Sequence, residues 1–283
     1  MKLAVGIVLY NPDLRRLKKS LEQFDKNVDR IFLVDNGSKN IEDIRNIRDK
    51  RVLLIENGKN LGIAAALNMV VEAANEANCS YLLTLDQDSI MKKEALARML
   101  KYTDREGVAI VCPRVLDINK AKQKVSKEEI EEISRCITSG SLMNLKLCNK
   151  VGIFNEKMFI DFVDFEYCKR IKLAGLKILR VNSAELEHEV GKRTKRHFLF
   201  ITLYPTNHNK ERVYYYGRNL AYYRNKFKKH LNIGEKINLF ATKIWKIGTI
   251  VLYEKDKSSK LKKFFDGQRD GKRLSKVYVG GGK

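Results

Sequence analysis

The chain lacks the cysteine patterns that stabilise small secreted domains or hold zinc. Its 283 residues include five cysteines, an odd number, and no two of them are spaced as Cys-x-x-Cys. Such a scattered set excludes a disulfide framework and gives no support to a zinc ribbon. We therefore expect reduced thiols and a cytoplasmic protein.

Long apolar runs are also missing. The N-terminal apolar run is short, ends at Asn11 and Pro12, and has no small-residue cleavage site, so we expect no signal peptide. The longest apolar stretch near the end, residues 237–253, is broken by Lys243 and Lys246 and falls short of a membrane-spanning helix. Such a segment can still lie on a membrane, so peripheral association with the inner face of the cell membrane stays open.

Acidic residues are scarce in the last third of the chain. Residues 191–283 contain 24 Lys and Arg against 6 Asp and Glu, whereas residues 1–190 contain 32 against 28. The net charge of +22 therefore belongs mostly to the C-terminal region. A globally basic nucleic-acid-binding protein would not usually have a near-neutral first part, so we expect a catalytic domain over 1–190 and a basic docking region over 191–283.

Short β-branched runs alternate with helical patterns through the first half of the chain. The strand patterns cover residues 3–9, 30–34, 52–56, 81–85 and 108–112, and the helical patterns cover residues 13–24, 63–77 and 92–102. This alternation predicts an α/β fold with a mostly parallel open sheet flanked by helices. Ligands of such sheets bind beyond the carboxyl ends of the strands.

Polar residues follow four consecutive predicted strands. They are Tyr-Asn-Pro at 10–12, Asp-Asn-Gly-Ser at 35–38, Asn-Leu-Gly at 60–62 and Asp-Gln-Asp-Ser at 86–89. Any one of these is typical of an ordinary turn or helix cap. Their joint occurrence favours a ligand-binding edge.

The paired carboxylates Asp86 and Asp88 are the strongest chemical signal. They flank Gln87 directly after an apolar run. A strand end can turn both carboxylates toward one hard cation, Mg²⁺ or Mn²⁺, which would bridge a diphosphate. The alternative is a solvated turn, which an isolated Asp-x-Asp usually is.

Together these motifs resemble family 2 of the nucleotide-sugar glycosyltransferases, which have the GT-A fold. The residues that carry the resemblance are 8–12, 34–38, 60–68, 86–89, 138–142, 159–170, 188–191 and 214–219, in the order of the family. The resemblance extends over roughly residues 3–225. More narrowly, the chain looks like the rhamnosyltransferase branch that builds bacterial surface polysaccharides.

The resemblance implies a donor site in a nucleotide-binding half, about residues 1–115. Asp35 can accept from the imide N–H that uracil and thymine share, so we expect a pyrimidine base. The resemblance also implies metal ligands at Asp86, Asp88 and His188, although a lone histidine is otherwise more often a structural hydrogen-bonder. The donor-binding residues that it implies are Tyr10, Asn11, Pro12, Asp35, Asn60, Gly62, Asp86 and Gln87.

An acceptor half, about residues 116–190, is expected to supply the general base. Asp164 matches the catalytic carboxylate of the family, although Val163 stands where the family usually has a glutamate. Helical spacing predicts Asp161 and Asp164 on one helix face. Glu166 can equally serve the helix dipole. The residues expected on the acceptor or diphosphate side are Gly140, Ser141, Asp161, Glu166 and Arg218.

The basic C-terminal region permits more than one interpretation. Lysines and arginines interleaved with aromatic residues fit a nucleic-acid surface, and they equally fit an interfacial helix on anionic lipid. Leu239, Ile244 and Val251 with Lys243 and Lys246 indicate an amphipathic helix. A solvated helix packed on the domain is as consistent with this pattern as membrane docking.

The expected function is that of an inverting glycosyltransferase acting in bacterial surface polysaccharide synthesis. The branch resemblance implies rhamnose from dTDP-rhamnose as the donor sugar, with UDP-hexoses as the alternative. The expected partners are a saccharide acceptor, lipid-linked, and an anionic membrane surface, with a homo-oligomer left open and no nucleic acid. A dinucleotide-dependent oxidoreductase is disfavoured, because Tyr10-Asn11-Pro12-Asp13 stands where Gly-x-Gly-x-x-Gly is needed. A non-catalytic module that binds nucleic acid or another polyanion is the remaining rival.

Overall fold

The computed structural model describes residues 2–24, 28–117, 126–188, 196–198, 201–203 and 205–279. The chain divides into two compact units. The N-terminal unit comprises Met1–Phe159 and Val163–Val190, and the C-terminal unit comprises Ile160–Phe162 and Gly191–Lys283.

The N-terminal unit holds an open sheet with flanking helices. Its strands are β1 (Leu3–Leu9), β2 (Arg30–Asp35), β3 (Val52–Glu56), β4 (Tyr81–Asp86), β5 (Ile90–Met91), β6 (Val108–Asp117), β7 (Ile130–Glu132), β8 (Ser141–Asn144) and β9 (Lys177–His188). Its helices are α1 (Leu14–Glu22), α2 (Ile41–Arg45), α3 (Ile63–Glu76), α4 (Ala95–Leu100), α5 (Leu145–Val151) and α6 (Val163–Leu173).

Strand β1 lies at the centre of the parallel part of the sheet. It pairs in parallel with β2 and with β4, and β3 joins β2 in the same direction. Nearly every residue of β1 is buried, as expected for a parallel strand that is covered on both faces. The carboxyl ends of β1 to β4 therefore lie along one edge of the sheet, which confirms the predicted open α/β arrangement.

Beyond β4 the sheet is mixed. Strand β8 pairs antiparallel with β4 and β6, while β9 runs parallel to β6 and antiparallel to β5 and β7. The sequence patterns predict β1 to β4 and the start of β6. They miss β5, β7 and β8, because strands of two to four residues are too short to show a period, and they also miss the twelve-residue β9.

The C-terminal unit contains three helices and a short hairpin in its described residues. The hairpin strands are β10 (Arg196–Phe198) and β11 (Ile201–Leu203), and the helices are α7 (Lys210–Lys226), α8 (Ile233–Tyr253) and α9 (Lys257–Val279). Helices α7 and α9 approach closely at Gly217, Gly267 and Gly271. A Cβ on Gly271 would lie 2.0 Å from the Arg218 carbonyl oxygen, so this position requires glycine.

Helix α8 is well defined at its start. Asn232 and Glu235 form a reciprocal capping box, in which each side chain accepts from the other residue's backbone N–H. Leu239 and Lys246 are both buried, so they lie on the packed face of α8. In the part of the chain that the structure describes, no helix is long and apolar enough to cross a bilayer.

A buried ion network accounts for the position of Lys246. The carboxylate of Glu254 is fully buried and accepts from the Nζ atoms of Lys246 and Lys260, at 3.1 and 3.0 Å. Lys260 also donates to Asn207 Oδ1 at 2.8 Å. Removing one partner from a buried ionic cluster leaves uncompensated charge in the interior.

We therefore expect Glu254→Gln to lower the free energy of unfolding by about 3–5 kcal/mol, because two buried ammonium groups lose their counter-charge. Urea unfolding followed by circular dichroism measures the change. The matched control is Asp266→Asn, which removes an exposed pair with Arg269 and should cost at most about 1 kcal/mol. Equal losses from the two variants would contradict the role assigned to Glu254.

Candidate functional site

Three ionisable side chains meet at the carboxyl edge of the sheet. Asp86 ends β4, Asp88 follows in the turn, and His188 ends β9. His188 Nε2 lies 3.8 Å from Asp86 Oδ2, and His188 Nδ1 lies 3.8 Å from Asp88 Oδ1. One ligand atom from each of these residues, here named the edge cluster, lies within 4.8 Å of the other two.

The short strand β5 brings the edge cluster together. Ile90 and Met91, which follow the acidic turn, pair antiparallel with Glu187 and Leu186 of β9. This pairing sets His188, about a hundred residues further along the chain, beside Asp86 and Asp88. The histidine prediction rested on family resemblance, since no local pattern connects residues so far apart.

A line of hydroxyl groups supports the histidine from behind. The Asp86 N–H donates to Ser139 Oγ at 3.0 Å, and Ser139 Oγ donates to Ser89 Oγ at 2.8 Å. Ser89 Oγ lies 2.9 Å from His188 Nδ1. When Nδ1 carries the ring proton, Ser89 Oγ accepts a hydrogen bond from the Nδ1–H group. The Nε2 lone pair is then available to a cation, which is the usual arrangement of a metal-bound histidine.

Helix α1 holds the acidic turn from the other side. Arg16 Nε donates to the Asp88 carbonyl oxygen at 2.5 Å, and Ser20 Oγ donates to the Ser89 carbonyl oxygen at 3.0 Å. Ser20, Ser89 and Ser139 are all buried. Sequence reasoning assigned no role to these supporting residues, because a buried serine gives no signal before its tertiary partners are known.

The electrostatics of the edge cluster favour a bound cation. Burial raises the pKa of the Asp86 carboxyl to about 6, His188 opposes this shift, and Asp88 adds to it. The Asp86 side chain nevertheless remains 38% exposed, so it is accessible to a ligand. Two carboxylates and an imidazole form a donor set suited to Mn²⁺ or Mg²⁺, and donors about 2.1 Å from one ion can lie up to about 4.2 Å apart.

The first two strand ends are tied to the acidic turn by backbone contacts. Gln87 accepts from the Tyr10 N–H at 2.8 Å and donates to the Tyr10 carbonyl oxygen at 3.2 Å. Asn11 accepts from the Lys39 N–H, and its own N–H donates to Ser38 Oγ, both at 2.8 Å. The predicted donor residues Tyr10, Asn11 and Gln87 therefore share one continuous edge, and the ring of Tyr10 is exposed.

Asp35 is buried at the end of β2. Its carboxylate accepts from the N–H groups of Gly37 and Ser38, each at 3.0 Å. These contacts fix the turn and leave lone pairs unused, because a carboxylate can accept about four hydrogen bonds.

The neighbouring Asn36 connects the second and third strand ends. Its side chain accepts from the N–H of Leu61 at 2.9 Å and donates to Asn60 Oδ1 at 3.1 Å. Gly62 requires glycine, since its φ is +88° and a Cβ would lie 2.7 Å from the Phe159 carbonyl oxygen. Asn60 and Gly62 thus have clear structural roles at the predicted nucleotide edge, and Asn36 is a supporting residue that sequence analysis did not assign.

Asp164 lies in the first turn of α6, half-buried. One of its oxygens accepts from the Phe165 N–H at 2.9 Å. The side chain lines a small cavity with Thr138, Cys136 and Cys168. Asp164 is therefore next to the 138–141 segment that supports the edge cluster.

Asp161 and Asp164 do not share a helix face, so that prediction is wrong. Helix α6 begins at Val163, and Asp161 has a left-handed φ of +65° outside it. Asp161 instead belongs to the C-terminal unit, where it accepts from Arg212 Nη2 at 3.1 Å. The i, i+3 argument failed because it assumed that the helix starts before residue 161.

Glu166 is fully buried. Arg170 Nε donates to both of its carboxylate oxygens, at 3.0 and 3.1 Å. This i, i+4 pair anchors α6 internally, which favours the structural alternative for Glu166 over contact with an acceptor.

The remaining acceptor-side predictions fall in different surroundings. Gly140 has a φ of +83°, and a Cβ there would lie 2.8 Å from Pro113 Cγ, so the close approach is to the chain itself. Ser141 is buried and donates to the Ile137 carbonyl oxygen at 2.7 Å. In the C-terminal unit, the Arg218 guanidinium stacks 4.7 Å from the centre of the Tyr215 ring and donates to Asn219.

A cleft of about 620 Å³ opens in the N-terminal unit beside the supporting segment. Ser139 and Cys136 line it, together with the guanidinium groups of Arg114, Arg135 and Arg180. Arg114 pairs with Glu185, and Arg180 pairs with Glu131. The cleft is large enough for a sugar, and Ser139, which contacts the edge cluster, is one of its lining residues.

Comparison with known proteins shows which protein family the chain matches. Residues 5–162 match the family described as "Glycosyl transferase family 2". The dTDP-rhamnosyl transferase RfbF of Shigella flexneri is 26% identical over 204 residues, which cover 66% of this chain and 69% of RfbF. The uncharacterized glycosyltransferase MJ1057 of Methanocaldococcus jannaschii is 33% identical over 110 residues, 36% of this chain and 37% of that protein.

Solved glycosyltransferase structures share the fold. GalNAc-T7 with UDP, GalNAc and Mn²⁺ has a TM-score of 0.57 at 12% identity, covering 84% of this chain and 53% of that one. Residues 1–349 of S. aureus TarS in complex with UDP have a TM-score of 0.55 at 14% identity, covering 98% of this chain and 92% of that one. At these identities the likeness shows the fold alone, and it confirms the predicted GT-A fold.

The hydroxyl line leads to a prediction about cation affinity. Ser139→Ala should weaken Mn²⁺ binding by about 10- to 100-fold, because the support behind His188 is lost. Titration of Mn²⁺ followed by electron paramagnetic resonance of the free ion measures the affinity. The matched control is Ser141→Ala, which removes a buried serine hydroxyl of the same segment that donates to a carbonyl outside the edge cluster. Unchanged affinity in folded Ser139→Ala would contradict the supporting role.

Proposed function

The chain belongs to glycosyl transferase family 2 and is a glycosyltransferase, and from this premise we propose that it moves rhamnose from dTDP-rhamnose to a saccharide with inversion at the anomeric carbon. The observation that carries the proposal is the edge cluster, which lies where β4 and β9 end and is bound through Gln87 to the end of β1. The 26% identity to a dTDP-rhamnosyl transferase supports the choice of donor.

The nucleotide would lie along the ends of β1 to β3. Tyr10, Asn11 and Pro12 form one side, and Asn60 and Gly62 form the other. Asp35 is the acceptor for the imide N–H of a thymine or uracil base, because its carboxylate keeps lone pairs beyond those used by Gly37 and Ser38. This acceptor supports a pyrimidine base and does not choose between thymine and uracil.

The diphosphate would lie at the edge cluster. Asp86, Asp88 and His188 would hold a divalent cation, Mn²⁺ or Mg²⁺; their ligand atoms lie within 4.8 Å of one another and would close to within about 4.2 Å around one ion. When bound, such a cation neutralises the negative charge that develops on the departing diphosphate. The protein's own part is to hold two like charges together through the contacts of Ser89, Ser139 and Arg16, so that the cation site exists before the donor arrives.

Asp164 is the proposed general base. In the transfer step the acceptor oxygen forms a bond to the anomeric carbon, and the bond from that carbon to the diphosphate oxygen breaks. The hydroxyl proton passes to the Asp164 carboxylate, and the nucleoside diphosphate leaves with the bonding electrons. Attack from the face opposite the leaving group inverts the configuration.

UDP-hexose is the second candidate donor. TarS has been solved with UDP and with UDP-GlcNAc, and its fold matches nearly all of this chain. Both donors place a pyrimidine and a diphosphate in the same positions, so the proposed roles of the residues are the same. The two candidates differ in the sugar, in the 5-methyl group of the base and in the 2′-hydroxyl of the ribose.

The acceptor and its location belong to the same proposal. We infer a lipid-linked saccharide at the inner face of the cell membrane, as part of surface polysaccharide synthesis, because residues 191–283 carry a strong positive charge. Five further residues are predicted to lie on the acceptor or diphosphate side: Gly140, Ser141, Asp161, Glu166 and Arg218. Ser141 and Glu166 are buried, which favours a structural role for these two.

Asp164→Asn tests the base directly. We expect the transfer rate to fall by about 10²- to 10⁴-fold while dTDP affinity in the presence of Mn²⁺ is unchanged, because the amide cannot take the proton. The assay follows release of dTDP or UDP from dTDP-rhamnose and UDP-GlcNAc in the presence of extracted lipid-linked saccharides, with affinity measured by calorimetry. Asp43→Asn, an exposed acid in the first turn of α2, is the control. Full activity of Asp164→Asn would show that another group is the base.

A further inference from the structure

One face of helix α8 carries large apolar side chains that lie open to solvent. Their spacing of four, three, four and seven residues places them in one line along the helix. The apolar stripe consists of Ile233, Ile237, Phe240, Ile244 and Val251, which are 76, 63, 60, 52 and 43% exposed. Continuous exposed apolar patches of this kind mark interaction sites.

The orientation of α8 is fixed by its opposite face. Leu239, Thr249 and Ile250 are buried, and Lys246 is held in the ion network with Glu254. The helix is therefore docked by one side and presents the apolar stripe on the other. The stripe is a feature of the folded C-terminal unit.

Cationic groups border the apolar stripe. Lys236 and Lys243 each follow a stripe residue by three positions and so lie beside it on the helix surface. Lys243 Nζ also lies 5.9 Å from the centre of the Phe265 ring, an exposed aromatic residue of α9. Burial lowers the pKa of Lys243, and the nearby positive charges of Arg224 and Lys272 lower it further.

Acidic groups are nearly absent from the same helix. Glu235 is the one acid of α8, and it is engaged in the capping box. An apolar stripe with a basic border and little negative charge is the pattern of a helix that lies in the headgroup region of an anionic bilayer.

We propose that the apolar stripe docks the protein on an anionic lipid bilayer, with Lys236 and Lys243 against the headgroups. This inference rests on the proposed function, since a lipid-linked acceptor would be presented to the enzyme at such a bilayer surface. Trp245 lies about 100° around the helix from Ile244, on the flank of the stripe, and its 43% exposed ring enters the interface at that edge.

Charge decides against a second copy of the chain as the occupant. A symmetric dimer through this face would set one copy of the lysine-bordered surface against the other. The C-terminal region, with 24 basic and 6 acidic residues, offers little negative charge to offset them. An anionic lipid surface supplies the missing charge.

The single tryptophan of the chain makes docking measurable without a label. The purified full chain is titrated with vesicles of phosphatidylcholine and with vesicles that also contain phosphatidylglycerol, and the emission of Trp245 is recorded. We expect a blue shift and flotation with the anionic vesicles, weakened by added salt, and little change with phosphatidylcholine alone.

Substitutions in the apolar stripe distinguish docking through this face from nonspecific binding of the protein to vesicles. Ile237→Glu and Phe240→Glu should each weaken vesicle binding by at least about 10-fold, because an apolar anchor is lost. The matched control is Ile153→Glu, which alters a side chain of the N-terminal unit that is 60% exposed, as Phe240 is. Unchanged circular dichroism and melting temperature confirm that the variants are folded.

Three results would overturn the proposal. In the first, Ile153→Glu weakens vesicle binding as much as Phe240→Glu does. In the second, the protein binds neutral and anionic vesicles equally. In the third, the protein does not bind vesicles, and light scattering shows a dimer that the stripe variants dissociate. The vesicle assay contains no nucleotide or acceptor. Its failure would therefore leave the proposed transfer reaction standing, and loss of transfer in Asp164→Asn would leave docking standing.

Discussion

The pairing of β5 with the end of β9 is the contact on which the site depends. It spans only Ile90 and Met91 against Glu187 and Leu186, yet it joins the acidic turn to a histidine that the chain reaches much later. Closing so long a loop costs conformational entropy, and the extensive pairing of β6 with β9 supplies the framework that meets this cost. The short strand then needs only to fix the last few ångströms.

Placing Asp86 beside Asp88 is electrostatically unfavourable, and hydrogen bonds from neighbouring elements hold the two residues in place. Ser139 accepts from the Asp86 backbone, Ser89 reaches the His188 ring, and Arg16 and Ser20 hold the two carbonyl groups of the turn. These contacts satisfy backbone and ring groups and leave the carboxylate oxygens available. A cation at this position would neutralise the repulsion between the Asp86 and Asp88 carboxylates. The site is therefore preorganised for a cation, whereas a salt bridge already contains its counter-charge.

The sequence predicted those strands whose own residues show a clear hydrophobic pattern. Strands β1 to β4 came within one residue of their observed ends; β1, β2 and β4 are almost entirely buried and appear as continuous apolar runs, and the partly exposed β3 is a run of β-branched and leucine residues. The acidic turn was found because two carboxylates after such a run are rare, and His188 was found only through family resemblance. Ser89, Ser139 and Asn36 could not be assigned in advance, since each gains its role from partners in other elements. Asp161 was placed wrongly because helix α6 begins after it, and its side chain pairs with Arg212 instead.

The central claim, that the edge cluster binds a pyrimidine nucleoside diphosphate through a divalent cation, is tested most directly by thermal unfolding. The melting temperature of the purified chain is measured with dTDP, UDP, GDP and NAD, each with and without Mn²⁺, for the wild type and for Asp86→Ala. We expect dTDP or UDP to raise the melting temperature, more so with Mn²⁺, and the Mn²⁺-dependent part to vanish in Asp86→Ala, because a ligand bound only by the folded state stabilises it. No shift with any nucleotide in a folded sample would contradict the account and favour a module that binds polyanions through its basic C-terminal region.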